Sequence, residues 1–96
     1  MRWTWDPNRD RNNRRVHGLG YETARLVFDD PLAVPRPDPY SGAARWQTVG
    51  LIANVAVRVA HTWPDPEPDS DEHVGRIVSA RKAARHERKA YEEGEF

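Results

Sequence analysis

Ninety-six residues suffice for one domain with a single core and little spare stability, and 38% hydrophobic against 31% charged residues is a soluble, globular composition. Fifteen Lys and Arg offset fifteen Asp and Glu, a balance that argues against a protein coating nucleic acid indiscriminately yet allows a local anion site. The absence of cysteine excludes a disulfide frame, a thiolate metal site and a cysteine nucleophile, and fits a reducing, cytoplasmic setting.

The opening MRWTWDPNRD is too polar for the apolar core of a signal peptide. Arg2 to Trp5 alternates polar and apolar residues, with Trp3 and Trp5 on one face, and reads as a short strand. Asp6-Pro7 starts a helix, because an Asp side chain accepts from the first free N–H groups and proline's φ suits the first helical position. That helix runs through NRDRNNRRV and stops at Gly18, a left-handed terminator. A second helix carries Tyr21, Ala24, Val27 and Phe28 along one stripe and ends at Asp30-Pro31. LAVPRPDPY holds at most an edge strand, since Pro35 and Pro37 withhold ladder donors. Arg45 to Leu51 and Val55 to Trp63 form a pair turning at Ala53-Asn54. Val55, Val57 and Val59 alternate there with Ala56, Arg58 and Ala60, so one face is buried. The most apolar region, LIANVAVRVA, is broken by Asn54 and Arg58 and falls short of the ~18 apolar residues of a spanning helix. An acidic, proline-rich loop follows, then a strand from about Val74 to Ser79. A final helix from about Arg81 to Glu92 places Ala80, Ala84, Glu87 and Tyr91 on one face. The order β-α-α-β-β-β-β-α predicts one α+β domain over residues 1–96. It has two N-terminal helices, an antiparallel sheet of about four strands and a C-terminal helix, the helices against one side.

Zero net charge hides segregation. PDPEPDSDE carries five carboxylates and no cation, whereas Arg76 to Lys89 holds six Lys or Arg against the single acid Glu87. In that order along the chain, WDPNRDRNNRRVHGLGYETARLVFDDPLA and RIVSARKAARHERKAY resemble the BrnT family of toxins from bacterial type II toxin–antitoxin systems. The family's pattern falls on Trp5-Asp6-Pro7, Asn13, His17-Gly18, the helix from Tyr21 to Phe28, and Asp30-Pro31. It resumes at Arg76-Ile77, Ser79-Ala80-Arg81, Ala83, Glu87 and Tyr91. The resemblance implies a fold similar to RelE-type ribonucleases and RNA cleavage that arrests growth; metal-binding spacing is absent from the sequence, so no metal or other cofactor is expected. The resemblance also implies neutralisation by a cognate BrnA-like antitoxin with a ribbon-helix-helix DNA-binding domain, through which the pair represses its own operon. Two places depart from the pattern. Val16 replaces a basic residue, and Gly42-Ala43-Ala44-Arg45 lacks the acidic residue of a Gly-Glu-x-Arg segment. The acidic loop is also longer than usual. A second reading therefore stands beside the nuclease: a non-catalytic module that only binds its antitoxin.

Metal-free RNA cleavage needs an oriented or deprotonated 2′-hydroxyl, cationic donors for the phosphorane-like transition state and a proton for the leaving oxygen. Arginine suits the second task, with a planar fork that grips phosphate oxygens and stays charged. Arg76 inside a strand, Arg81 just beyond its end and Arg45 at the start of another strand would form a phosphate cradle. By spacing alone they read as surface pairs with Asp29, Asp30 or Glu87; the resemblance points Arg76 and Arg81 towards function. His17 is the candidate acid or base, or else a histidine bonding the last carbonyls of its helix. His61 reads as a satisfied core or edge residue, and His73 and His86 as solvated. Tyr91 either meets a base or phosphate or belongs to the core. Glu87 is a base or an orienting group for Arg81 or Arg85. Lys82, Arg85, Arg88 and Lys89 form a cationic surface for RNA or for an acidic antitoxin segment. His86-Glu87 begins HExxH, but Ala90 stands where the second histidine belongs.

Overall fold

In the computed structural model, residues 1–39 and 44–95 are described. Gly42 and Ala43, two of the residues at the departure before Arg45, lie outside them. The elements are β1 (Arg2–Thr4), α1 (Pro7–His17), α2 (Tyr21–Ala24), a 3-10 segment (Arg25–Asp29), β2 (Val34–Pro37), β3 (Arg45–Ile52), β4 (Val55–Thr62), β5 (Asp65–Pro66), β6 (His73–Lys82) and α3 (Arg85–Glu93).

Local signals govern α1. The Asp6 carboxylate accepts from the Asn8 N–H at 2.8 Å, Pro7 occupies the first turn, and Gly18 closes the helix at φ +69° with its N–H on the Arg14 carbonyl. The expected second helix is α-helical only to Ala24 and then tightens. Val27 and Phe28 are weak helix formers, and the three-residue repeat lines up Tyr21, Ala24 and Val27, each at most 1% exposed.

The sheet has six strands in the order β1-β6-β4-β3-β2, with β5 also on β6. It is mixed rather than purely antiparallel: β1 runs parallel to β6, with Trp3 opposite Gly75. The last strand is longer than its sequence suggests, reaching Lys82, because Arg81 and Lys82 pair with Arg58 and Val57 of β4. Arg81 and Lys82 are therefore strand residues, and the final helix starts at Arg85 rather than near Arg81. A bulge interrupts this pairing: Ala60 faces Ser79 but His61 faces Ile77, leaving Val78 as the extra residue. The bulge exchanges side-chain parity along β6, so Ile77 and Ala80 both enter the core although three residues apart.

That core is formed by Tyr21, Ala24, Val27, Val57, Val59, Ile77 and Ala80, with Trp3 and Phe28 packed against it. The helices do not all lie on this side. Glu87 of α3 meets Arg81, on the face turned away from α2. Beyond the end of β1 the edge of β6 has no strand partner among the described residues, and side chains replace one. Tyr21 Oη donates to the Val78 carbonyl at 2.7 Å, while Asn13 donates to the Ala80 carbonyl and accepts from the Ala80 N–H. Asn13 is accordingly the buried residue of α1.

Candidate active site

Register and alternation place a set of arginines on the sheet face opposite the aromatic core. In one row across the strands, Arg36, Gln47, Ala60 and Ser79 are neighbours; in the next, Val34, Val49, Arg58 and Arg81. Arg45 lies opposite Thr62, whose hydroxyl accepts from the Arg76 N–H at 2.9 Å, so these residues form a third row. Ala60 is the small floor at the centre. The bulge at Val78 makes this arrangement possible. Arg76 and Arg81 are five positions apart and would face opposite sides of a regular strand, but the extra residue returns both to one face.

Arg58 and Arg81 are direct cross-strand neighbours, a repulsive pairing that needs compensation. Glu87 supplies it. Its carboxylate is 2% exposed and takes both ends of the Arg81 fork, at 2.7 and 3.1 Å, and the Ala84 N–H at 2.7 Å. Burial pushes the Glu87 carboxyl up, but the Arg81 and Ala84 hydrogen bonds with the Arg81 and Arg58 charges outweigh it and hold it below its ordinary value. Both oxygens are engaged, which makes Glu87 an orienting group for Arg81. Among the described residues Arg58 has no such carboxylate bond. It donates to Ser79 Oγ at 3.3 Å, and its buried Nε has no hydrogen-bond partner among the described residues. Burial and the Arg81 charge lower its pKa from the usual arginine value, against Glu87 and Asp38.

Arg76 is exposed and Arg45 half-buried, and neither side chain has an ion-pair partner among the described residues. His17, the exposed last residue of α1, lines a cleft with Asn13, Val78 and Ser79, between α1 and the edge of β6. Tyr91 and Lys82 lie elsewhere, sharing a separate cleft with Arg88 and Ala56. The Tyr91 hydroxyl donates to Asp30 at 2.6 Å, and the same oxygen of Asp30 accepts from the Leu51 N–H, which ties α3 to the turn before β2. Arg85 is exposed on the first turn of α3 beside Arg88 and Lys89. His61 is buried: its Nδ1–H donates to the Thr62 carbonyl and its Nε2 is hydrogen-bonded to Thr48 Oγ1, both at 2.7 Å, as a core histidine should.

Sequence reasoning did not single out Arg36 or Arg58 as site residues. For Arg58 a signal existed: between Val57 and Val59 its side chain must leave the core face. What one strand cannot reveal is that Arg81 and Ser79 cross it there. Among the described residues no group of three or more His, Asp or Glu side chains is placed to share a metal ion.

A face of guanidiniums with one held rigidly by a buried carboxylate is suited to gripping a phosphodiester. The family comparison agrees: residues 5–87 match the model described as ribonuclease toxin, BrnT, of type II toxin–antitoxin system. The chain belongs to this BrnT family. BrnT membership implies an RNA substrate and an antitoxin partner. No match was found among curated proteins. The matched span starts at Trp5 and ends at Glu87, so it takes in α1, the whole arginine face and its orienting carboxylate. No helix among the described residues is long and apolar enough to cross a membrane.

Proposed function

We propose that the chain is an active BrnT toxin, a metal-independent endoribonuclease of the bacterial cytoplasm that arrests growth and is silenced by a cognate BrnA-like antitoxin with a ribbon-helix-helix domain. The observation that carries this reading is the convergence of Arg45, Arg58, Arg76 and Arg81 on one face, with Arg58 half-buried beside Arg81 and lacking a carboxylate bond of its own. A phosphate supplies the missing anion. In the reaction, the 2′-hydroxyl gives up its proton as its oxygen attacks the adjacent phosphorus, the bond to the 5′-oxygen breaks, and that oxygen takes up a proton. The products are a 2′,3′-cyclic phosphate and a free 5′-hydroxyl. Arg81, fixed by Glu87, and Arg76 hold the non-bridging oxygens as charge builds on them, with Arg58 and Arg45 completing the cradle. His17 moves the proton from the His17–Ser79 cleft. Tyr91 acts by holding α3, and so Glu87, in place. Lys82 and Arg85 attract RNA from a distance. The antitoxin's ribbon-helix-helix domain carries the pair to operator DNA.

The second reading, a module that binds its antitoxin without cleaving, draws on Ala43 and Ala44 where relatives are expected to have an acidic residue. Expression of the chain alone in a bacterium separates the two. The nuclease arrests growth, and Arg76→Ala and Arg81→Ala each relieve the arrest. Equal growth of all three cultures, with the protein present and folded, selects the silent module.

A further inference from the structure

On the other face of the sheet, away from the arginines, a cavity of about 310 Å³ opens between β1, the 3-10 segment, β2 and the end of β4. Its floor is preformed. Trp3 and Phe28 stack with centroids 3.8 Å apart, His61 meets both rings edge-on, and Trp3 lies so close over Gly75 that any Cβ there would approach it to 2.4 Å. One wall is Trp63, 49% exposed and braced against Trp46 at 4.5 Å. Pro35 and Pro64 add to a mostly apolar lining, in which Asp30, Thr48 and His73 are the polar positions beside His61. An exposed Trp63 beside half-buried Trp3 and Phe28 over a concave floor is the form of a hot-spot pocket.

The charge around it defines the occupant. Pro64 and His73 both line the cavity, and the chain between them carries Asp65, Glu67, Asp69, Asp71 and Glu72. Glu67 is neutralised by Arg2 at 2.9 Å; the other carboxylates have no ion-pair partner among the described residues. This rim repels a phosphate backbone, so the cavity is not a second RNA-stacking site. It attracts a cationic polypeptide.

We propose that this cavity anchors the antitoxin: a basic segment of the antitoxin inserts one large apolar side chain between Trp63 and Phe28 while its Lys or Arg residues meet the 65–72 loop. The proposal rests on the toxin reading above for the existence of that partner. It adds that the antitoxin's grip lies on the face opposite the nuclease site. Catalysis and antitoxin affinity are therefore separable by substitution.

The test is titration calorimetry of the chain against its cognate antitoxin, with RNA cleavage measured in parallel. Trp63→Ala, which removes the wall, and the surface double variant Asp65→Lys/Asp71→Lys, which leaves the floor intact, each weaken antitoxin binding about tenfold or more. Both cleave RNA within about twofold of the parent. Antitoxin affinity that stays within twofold of the parent in the charge-reversed variant overturns the proposal. So does weaker RNA binding by Trp63→Ala, which would make the cavity a base-stacking site. Self-association of the parent that Trp63→Ala abolishes would name a second copy of the chain as the occupant and overturn it equally. Failure of the toxin reading looks different: the parent then fails to cleave RNA, whatever the antitoxin titrations show.

Discussion

A half-buried guanidinium opposite a like charge is a poor choice for stability alone, and Arg58 is such a residue. Replacing a desolvated charge by an apolar side chain of similar length is often neutral or stabilising, whereas a functional site tolerates the cost. Arg58→Met should therefore leave the urea midpoint unchanged or raised, while RNA cleavage falls by roughly a hundredfold, about 2.7 kcal/mol of transition-state binding. Loss of both stability and activity would make Arg58 a structural residue. Glu87 has the opposite profile. Its removal leaves Arg81 without its fork partner beside Arg58, and because Arg81 is about one-third exposed the loss is discounted below the buried-pair range, to about 2–3 kcal/mol for Glu87→Ala. The carboxyl is held below its ordinary 4.5, so the unfolded chain takes up the proton first as the pH falls. Its contribution is complete above that ordinary value and disappears as pH drops through the lower native one. His61 adds a second acid-sensitive group at higher pH. Burial lowers its pKa from 6.5, so protonation favours the unfolded chain once the pH falls below that value. Unfolding free energies measured from pH 8 down to 3 should decline in both windows, and Glu87→Gln should flatten the lower one.

At the scale of elements, β6 sets the geometry of the site. Asn13, reaching from α1, bonds the Ala80 N–H and carbonyl and the Leu19 carbonyl at 2.8–3.2 Å, just past the bulge. These bonds stand in for a missing strand. Asn13→Ala leaves buried backbone groups unsatisfied and should cost about 2–4 kcal/mol in denaturant unfolding; a cost under about 0.5 kcal/mol would mean that water replaces the side chain. How far the sequence disclosed this element depends on the range of each interaction. The limits of α1 were legible because Asp6 and Gly18 act within a few residues of themselves, and the valine alternation of β4 was legible for the same reason. The extension of β6 to Lys82 was not, because Ser79-Ala80-Arg81-Lys82-Ala83-Ala84 has helix-forming character and only pairing with Val57 and Arg58 overrides it. The parallel strand β1 was recognisable as a strand, but its partner is at the far end of the chain. The bulge left no local mark, so Arg76 and Arg81 could be assigned to one site only by resemblance. The physical reason they share a face is an inserted residue, Val78.

Across the whole molecule, the sheet separates two chemistries. One face gathers arginines, and α3 next to it exposes further cations at Arg85, Arg88 and Lys89; the acidic connection 65–72 lies at the end of β4 where the aromatic cavity opens. A neutral chain arranged this way has a strong internal polarity, which orients an approaching polyanion before contact. The electrostatic part of RNA binding should then be steep yet confined to the basic face. With about four phosphates neutralised on single-stranded RNA, log affinity falls with log salt at a slope of about −3. Charge removal by Lys82→Gln/Arg85→Gln, at residues outside the arginine rows, reduces that slope by about 1. It leaves the single-turnover cleavage rate at saturating RNA unchanged, because long-range attraction affects encounter and not the bound transition state. Arg76→Ala does the reverse, with a large fall in the saturated rate and a smaller change in slope. Both measurements are run with and without excess chelator; an arginine cradle that works without metal gives the same rates in each. A saturated rate that collapses in Lys82→Gln/Arg85→Gln would move the reacting phosphate from the Ala60 floor to the start of α3.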